Sequence, residues 1–149
     1  MTNYFRLLLG AILLISIMSC KQSIQLEKIH ETSNLLSSPI QFGKSLNSFK
    51  YENEFILQIG IIDTTDEVPA VKAAIVKIKG KQIVLHLVAL KLVDKRNIED
   101  YSGGGFNLSV SYKEEFDPTL NETFYQGSLI IQQGDLKSEY EIAGMKNRL

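Results

Sequence analysis

Beyond about residue 50 apolar and polar residues alternate with a period of two, the mark of strands with one covered face. Glu54 to Ile62 places Phe55, Leu57, Ile59 and Ile61 on one face and Gln58 and Gly60 on the other. Phe106, Leu108, Val110 and Tyr112 point one way, and Asn107, Ser109 and Ser111 the other. Asp117-Pro118 marks a turn. Thr123 to Gln132 and Leu136 to Ala143 flank Gly134-Asp135, and a two-residue turn there sets Leu129 opposite Tyr140 and Ile131 opposite Ser138.

Ala73 to Val93 reads as a hairpin. Lys79-Gly80-Lys81-Gln82 puts glycine first in a two-residue type II′ turn. That turn sets Ile78 against Ile83, Val76 against Leu85 and Ala74 against Leu87 on an apolar face, with Lys79 against Gln82 and Lys77 against Val84 behind it. The second strand is apolar on both faces, through Val84, Val88, Leu90 and Leu92. Such a strand is expected to be central and covered on both sides, or coiled between two layers. Asp94 to Gly105 reads as a polar connection ending in three glycines. The count is six or seven antiparallel strands, so the fold class is all-β, an antiparallel β-sandwich or small β-barrel.

The N-terminal third differs. Residues 21 to about 50 are polar and rich in Ser and Asn, and Ile40 and Phe42 begin the first strand. Between Gln25 and Leu36 the apolar Leu26, Ile29 and Leu36 form no continuous helical stripe, so the stretch reads as a mobile spacer. The organisation expected is a leader over 1–19, a tether over 20–50 and a β domain over 51–149.

Charge changes this picture little. The 149 residues carry 16 Lys plus Arg and 17 Asp plus Glu, with no Trp. The interspersed, slightly acidic balance lacks the basic stripe of a nucleic-acid surface. The single cysteine, Cys20, changes much more.

Arg6 precedes an apolar run from Leu7 to Met18. The run is too short to span a bilayer, which takes about 20 residues, but suits the apolar core of a secretory leader. Ile17-Met18-Ser19-Cys20 resembles the lipobox of bacterial lipoprotein signal peptides, with Met18 and Ser19 less usual than the strongest form of the motif. The resemblance covers the first seventh of the chain. It implies cleavage before Cys20, acyl chains (palmitate among them) on that cysteine, and a firm hold on a membrane at about 0.8 kcal/mol per buried methylene. Acylated Cys20 leaves no thiol for a disulfide, a metal or nucleophilic catalysis.

The remaining chemistry is sparse. His30 lies in the expected tether, and His86 lies mid-strand, placed beside Ile75 by the hairpin register and partly buried. There is no HExxH or GxSxG motif. Glu114, Glu115 and Asp117 precede Pro118, and Asp63, Asp66 and Glu67 precede Pro69, without the spacing of a calcium loop. They read as solvated loop charge. Gly103-Gly104-Gly105 leads into a strand, so it suits unusual backbone angles rather than a phosphate cradle. No catalytic, metal or cofactor site is assigned, and no enzyme activity is expected. Asp63-Thr64-Thr65 resembles the O-glycosylation signal of exported proteins in one Gram-negative phylum, which marks Thr64. Lys21-Gln22-Ser23 lacks the acids that resemble a surface-export signal there, so the resemblance implies an outer-membrane position facing the periplasm.

The chain resembles the short β-rich lipoproteins of Gram-negative bacteria. A β domain without placed acid-base groups does little chemistry but can hold a partner on its edge strands and loops, so the expected function is a non-enzymatic binding or scaffolding module of the cell envelope. Its expected partners are the bilayer, through acylated Cys20, and an envelope protein, with no nucleic acid. The alternatives are a periplasmic inhibitor or immunity-type lipoprotein, and a small apolar-ligand carrier, which would need an open barrel interior.

Overall fold

The computed structural model describes residues 22–30, 33–47, 50–62 and 70–146. The expected leader, Cys20 and the loop holding Asp63, Thr64, Asp66 and Glu67 lie outside the described residues. The described chain is an all-β closed barrel of eight strands, each hydrogen-bonded to its sequence neighbour, with β1 closing on β8. The strands are β1 (Ser37–Asn47), β2 (Lys50–Ile62), β3 (Val71–Ile78), β4 (Lys81–Val93), β5 (Arg96–Gly103), β6 (Phe106–Asp117), β7 (Glu122–Gln133) and β8 (Leu136–Lys146). Every pairing is antiparallel. Closure removes the edge strands that a sandwich would have to protect.

The alternation read from sequence becomes an inside and an outside. Inward positions from all eight strands pack into one core, including Phe42, Leu57, Val76, Leu85, Tyr101, Leu108, Leu129 and Ile142. Phe42, Tyr112 and Tyr125 form a ring cluster with centroids 5.5 to 6.1 Å apart. These side chains pack into the interior, which in an eight-stranded barrel is just wide enough for side chains to fill or for one small ligand. Ser109, Ser111, Gln126, Lys137, Glu139 and Glu141 face outward. A membrane-spanning barrel has the opposite polarity, apolar outside and polar within.

Four expectations are corrected. The strands number eight because Arg96–Gly103, read as loop, is β5; the first strand, expected to begin at Ile40 and Phe42, is Ser37–Asn47 and belongs to the barrel rather than to a tether. The β3–β4 turn is Lys79-Gly80, with φ of 50° and 75°, rather than a type II′ turn at Gly80-Lys81. Two positive φ values give a type I′ turn, whose twist also suits a hairpin. Pairing therefore slides by two residues, to Val76 opposite Ile83 and Ala74 opposite Leu85. A slip of two preserves every side chain's face, so Leu85 stays in the core as expected. The β7–β8 register matches the expected one, with Leu129 opposite Tyr140 and Ile131 opposite Ser138.

The expected spacer is the third correction. Residues 22–30 run extended across the end of the barrel formed by the β3–β4, β5–β6 and β7–β8 turns, called here the near end. The Ile24 amide donates to Ser138 Oγ at 2.8 Å, and the Tyr140 hydroxyl donates to the Ile24 carbonyl at 2.6 Å. Glu27 and Ile29 then bridge to Lys77 and Phe55. Ile24 and Leu26 join the core. Ile29 and Leu36 instead cover Ala73 and Ile75 on the outer face of β3. The spacing of Leu26, Ile29 and Leu36 makes no helical stripe because these side chains serve two different surfaces.

The fourth correction concerns β4. Its register against β3 ends at Ala73 opposite His86, a bulge follows between Leu87 and Ala89, and Leu90 to Val93 pair only with β5. The overhanging Val88, Leu90 and Leu92 are 68%, 57% and 73% exposed rather than covered on both sides.

Candidate functional site

Two features stand out once the barrel is built, one inside and one on its rim. The inner feature is Glu99, on β5 and only 1% exposed. Its parity with Tyr101 turns both side chains inward, where Val110 and Leu108 face them from β6. Tyr101 donates its hydroxyl to Glu99 Oε2. Tyr112 donates to Oε1 at 2.7 Å, and Lys72 Nζ donates to the same oxygen at 2.5 Å. A buried carboxylate is costly unless paired and hydrogen-bonded, and here both oxygens are engaged.

Burial, reinforced by the hydrogen bond to Glu99, pushes the Tyr101 hydroxyl far above the usual tyrosine range. The same two causes, in the same order, push Tyr112 upward. Both tyrosines are therefore held neutral, as donors. Their protons are committed to the carboxylate, which accepts from Tyr112 and Lys72 at Oε1 and from Tyr101 at Oε2. Such a group ties β3, β5 and β6 together.

The second feature is the far end, formed by the β4–β5 and β6–β7 turns. Two hairpins overshoot the barrel there. On the first, Leu90, Leu92 and Val93 are exposed beside Lys91, Lys95 and Arg96. On the second, residues 114–117 pair only with β7, and Phe116 and Leu120 are exposed. A groove of about 460 Å³ runs under this hairpin between Phe116, Leu120, Phe124 and Gly144, with Glu115 and Asp117 on its lip. The rim thus combines large exposed apolar side chains with a basic and an acidic hairpin. Exposed large apolar side chains with a polar border are a usual signature of a contact surface.

The residues singled out from sequence are scattered. His86 is exposed on the outer face of β4, between Ala73 of β3 and Ser102 of β5, and not beside Ile75. His30 is exposed on the near-end strap. Glu114 and Glu115 lie on β6 itself rather than in a loop. Asp117 caps its turn, with Oδ1 accepting from the Thr119 amide at 2.8 Å and the Thr119 hydroxyl at 2.5 Å. The hydrogen bonds from Thr119 hold its carboxyl below the usual carboxylate range. Of the three glycines, Gly104 and Gly105 take the β5–β6 turn with φ of 59° and 81°.

Sequence reasoning missed Glu99 because β5 was read as loop. The available signal was the alternation of Asn97, Glu99 and Tyr101 with Ile98, Asp100 and Ser102. Its inward face carries an acid, so the apolar pattern is inverted locally. Comparison with known proteins supplies no template for either feature: no family model, curated protein or solved structure matches the chain.

Proposed function

We propose that this protein is a lipid-anchored binding or scaffolding module of the Gram-negative cell envelope, without catalytic activity of its own. Acyl chains on Cys20 hold it to the outer membrane on the periplasmic side, and the far rim meets a protein partner. One observation carries the reading: the chain enters the barrel at one end and the exposed apolar rim lies at the other. Gln22, Ser23 and Ile24 line the near end together with Lys79, Lys81 and Phe106. Leu90, Leu92, Phe116 and Leu120 are exposed on the hairpins of the opposite end. An anchor and a contact surface at opposite poles is the arrangement a tethered binding module requires. The inner Glu99 cluster supports the non-catalytic half of the reading, since both carboxylate oxygens are engaged by buried or half-buried donors of the barrel itself.

The test has two parts. Cells fed an alkyne fatty acid should label the wild type and not Cys20→Ala; equal labelling of the two would remove the anchor. A photocrosslinking residue at Leu92 or Phe116 should then trap one discrete partner in the native envelope, whereas the same group at His86, on the barrel wall, should not. Equal trapping from wall and rim would refute the rim as the contact surface.

A further inference from the structure

We infer that the near end of the barrel is a membrane-seating surface, on which the domain stands upright against an anionic lipid layer. This rests on the anchored reading and adds an orientation and a lipid chemistry to it. The first ground is the length of chain between anchor and barrel. Ile24 is fixed by its backbone to Ser138 and Tyr140, so only four peptide units separate it from Cys20. Fully extended, they reach at most about 14 Å. The headgroup layer itself occupies about 5–7 Å of each leaflet. A cysteine whose acyl chains lie in the hydrocarbon therefore keeps the near end within about 7–9 Å of the headgroup surface.

The far rim cannot take that place. Strands of 11 to 13 residues such as β1, β2 and β4 separate the two ends. At about 3.3 Å per residue and a tilt of about 40°, they make a barrel wall of about 30 Å, twice the reach of the free chain. Charge agrees with distance. Lys79 lies in the β3–β4 turn, Lys81 follows it, and Lys137 follows the β7–β8 turn, all exposed at the near end. Asp135 is the exposed acid at the tip of that second turn, and the Glu27 carboxylate is turned back to accept from the Gly80 amide at 3.0 Å. Of the two far-end hairpins, β6–β7 carries Glu114, Glu115, Asp117 and Glu122 with no basic residue among residues 114–122, and β4–β5 carries Lys91, Lys95 and Arg96 around Asp94, so the far end is of mixed charge where the near-end turns are mainly basic. Lysines close to an anionic leaflet are attracted, and carboxylates are repelled.

The chain contains no tryptophan, so a single one reports depth cleanly. The chain from Cys20 onward contains every described element and is coupled through its thiol to a maleimide lipid. The vesicles are of phosphatidylethanolamine and phosphatidylglycerol and carry a headgroup nitroxide lipid. Gln133→Trp at the near end should lose most of its fluorescence, and Leu120→Trp at the far end should keep its own. The near-end quenching should weaken on phosphatidylcholine vesicles. It should also weaken in Lys79→Glu/Lys81→Glu/Lys137→Glu, and at about 1 M salt, where the screening length falls to about 3 Å. Equal quenching at the two ends, quenching at neither, or near-end quenching indifferent to every change of charge would overturn the proposal. The coupling is chemical, so absence of fatty-acid labelling in cells would refute the lipoprotein reading without altering this result.

Discussion

Alkaline pH should unfold this barrel through the two tyrosines that serve Glu99. Tyr101 and Tyr112 are 1% and 3% exposed and donate to one buried carboxylate. Burial first, and then Glu99, raises both above the unfolded value of about 10. A group whose folded pKa is raised contributes stability in full below the unfolded pKa and loses it as pH rises. Above pH 10 each unfolded tyrosine has released a proton that the folded one keeps, so the unfolded chain binds fewer protons and stability falls. Integrated, the loss is about 1.4 kcal/mol per tyrosine at pH 11 and about 2.7 kcal/mol at pH 12. The pair together cost about 5.4 kcal/mol by pH 12, comparable with the whole stability of a small domain, about 5–15 kcal/mol. Tyr125 is raised the same way, by burial and then by the Glu114 charge, and steepens the fall.

Urea titrations at pH 8, 10, 11 and 11.5, followed by circular dichroism, measure this. Tyr112→Phe separates the linkage from simple weakening. It removes one hydrogen bond to a charged group, about 1.5–3 kcal/mol at neutral pH. Above pH 10 it should also make the decline shallower by about 1.4 kcal/mol per pH unit. A wild type of constant stability to pH 11.5, or a Tyr112→Phe slope equal to the wild type's, would refute the assignment of these hydroxyls as buried donors.

Three further outcomes are expected. Gly80 has φ of 75° with open space around it, so thermal melts should show Gly80→Val costing about 1–3 kcal/mol from backbone strain alone and Gly80→Asn costing far less. At Gly127 an added Cβ would overlap the Ser111 carbonyl oxygen and lie 2.7 Å from Tyr112 Cα, so Gly127→Ala should cost about 3 kcal/mol or more; an unshifted midpoint there would mean that β6 does not approach so closely. Leu85→Ala should cost about 2–5 kcal/mol and His86→Gln about 0.5 kcal/mol or less, because neighbours in sequence face core and solvent respectively; the reverse order would place β4 one residue out of register.

By itself the amino-acid pattern determined the class of fold and the inside and outside of several strands. Strict alternation in Phe106 to Tyr112 is a local property, and so is the Gly134-Asp135 turn, which settles its own register because two short-range constraints agree. The β3–β4 hairpin shows the limit of that logic. Two turn types separated by two residues give the same faces, and only the backbone angles of Lys79 distinguish them. Three things required the closed tertiary structure. Arg96–Gly103 is a strand because β4 and β6 both pair with it, and its inward acid is tolerated because Tyr101, Tyr112 and Lys72 converge on it from three strands. The polar segment from Gln22 is ordered because a barrel end needs covering, a demand that appears only after closure. Leu90 and Leu92 lie in solvent because the β3 register ends at Ala73, a difference in strand length that no residue of β4 records. Alternation and turn chemistry act over two to four residues; closure, convergence and overhang depend on partners far away in the chain.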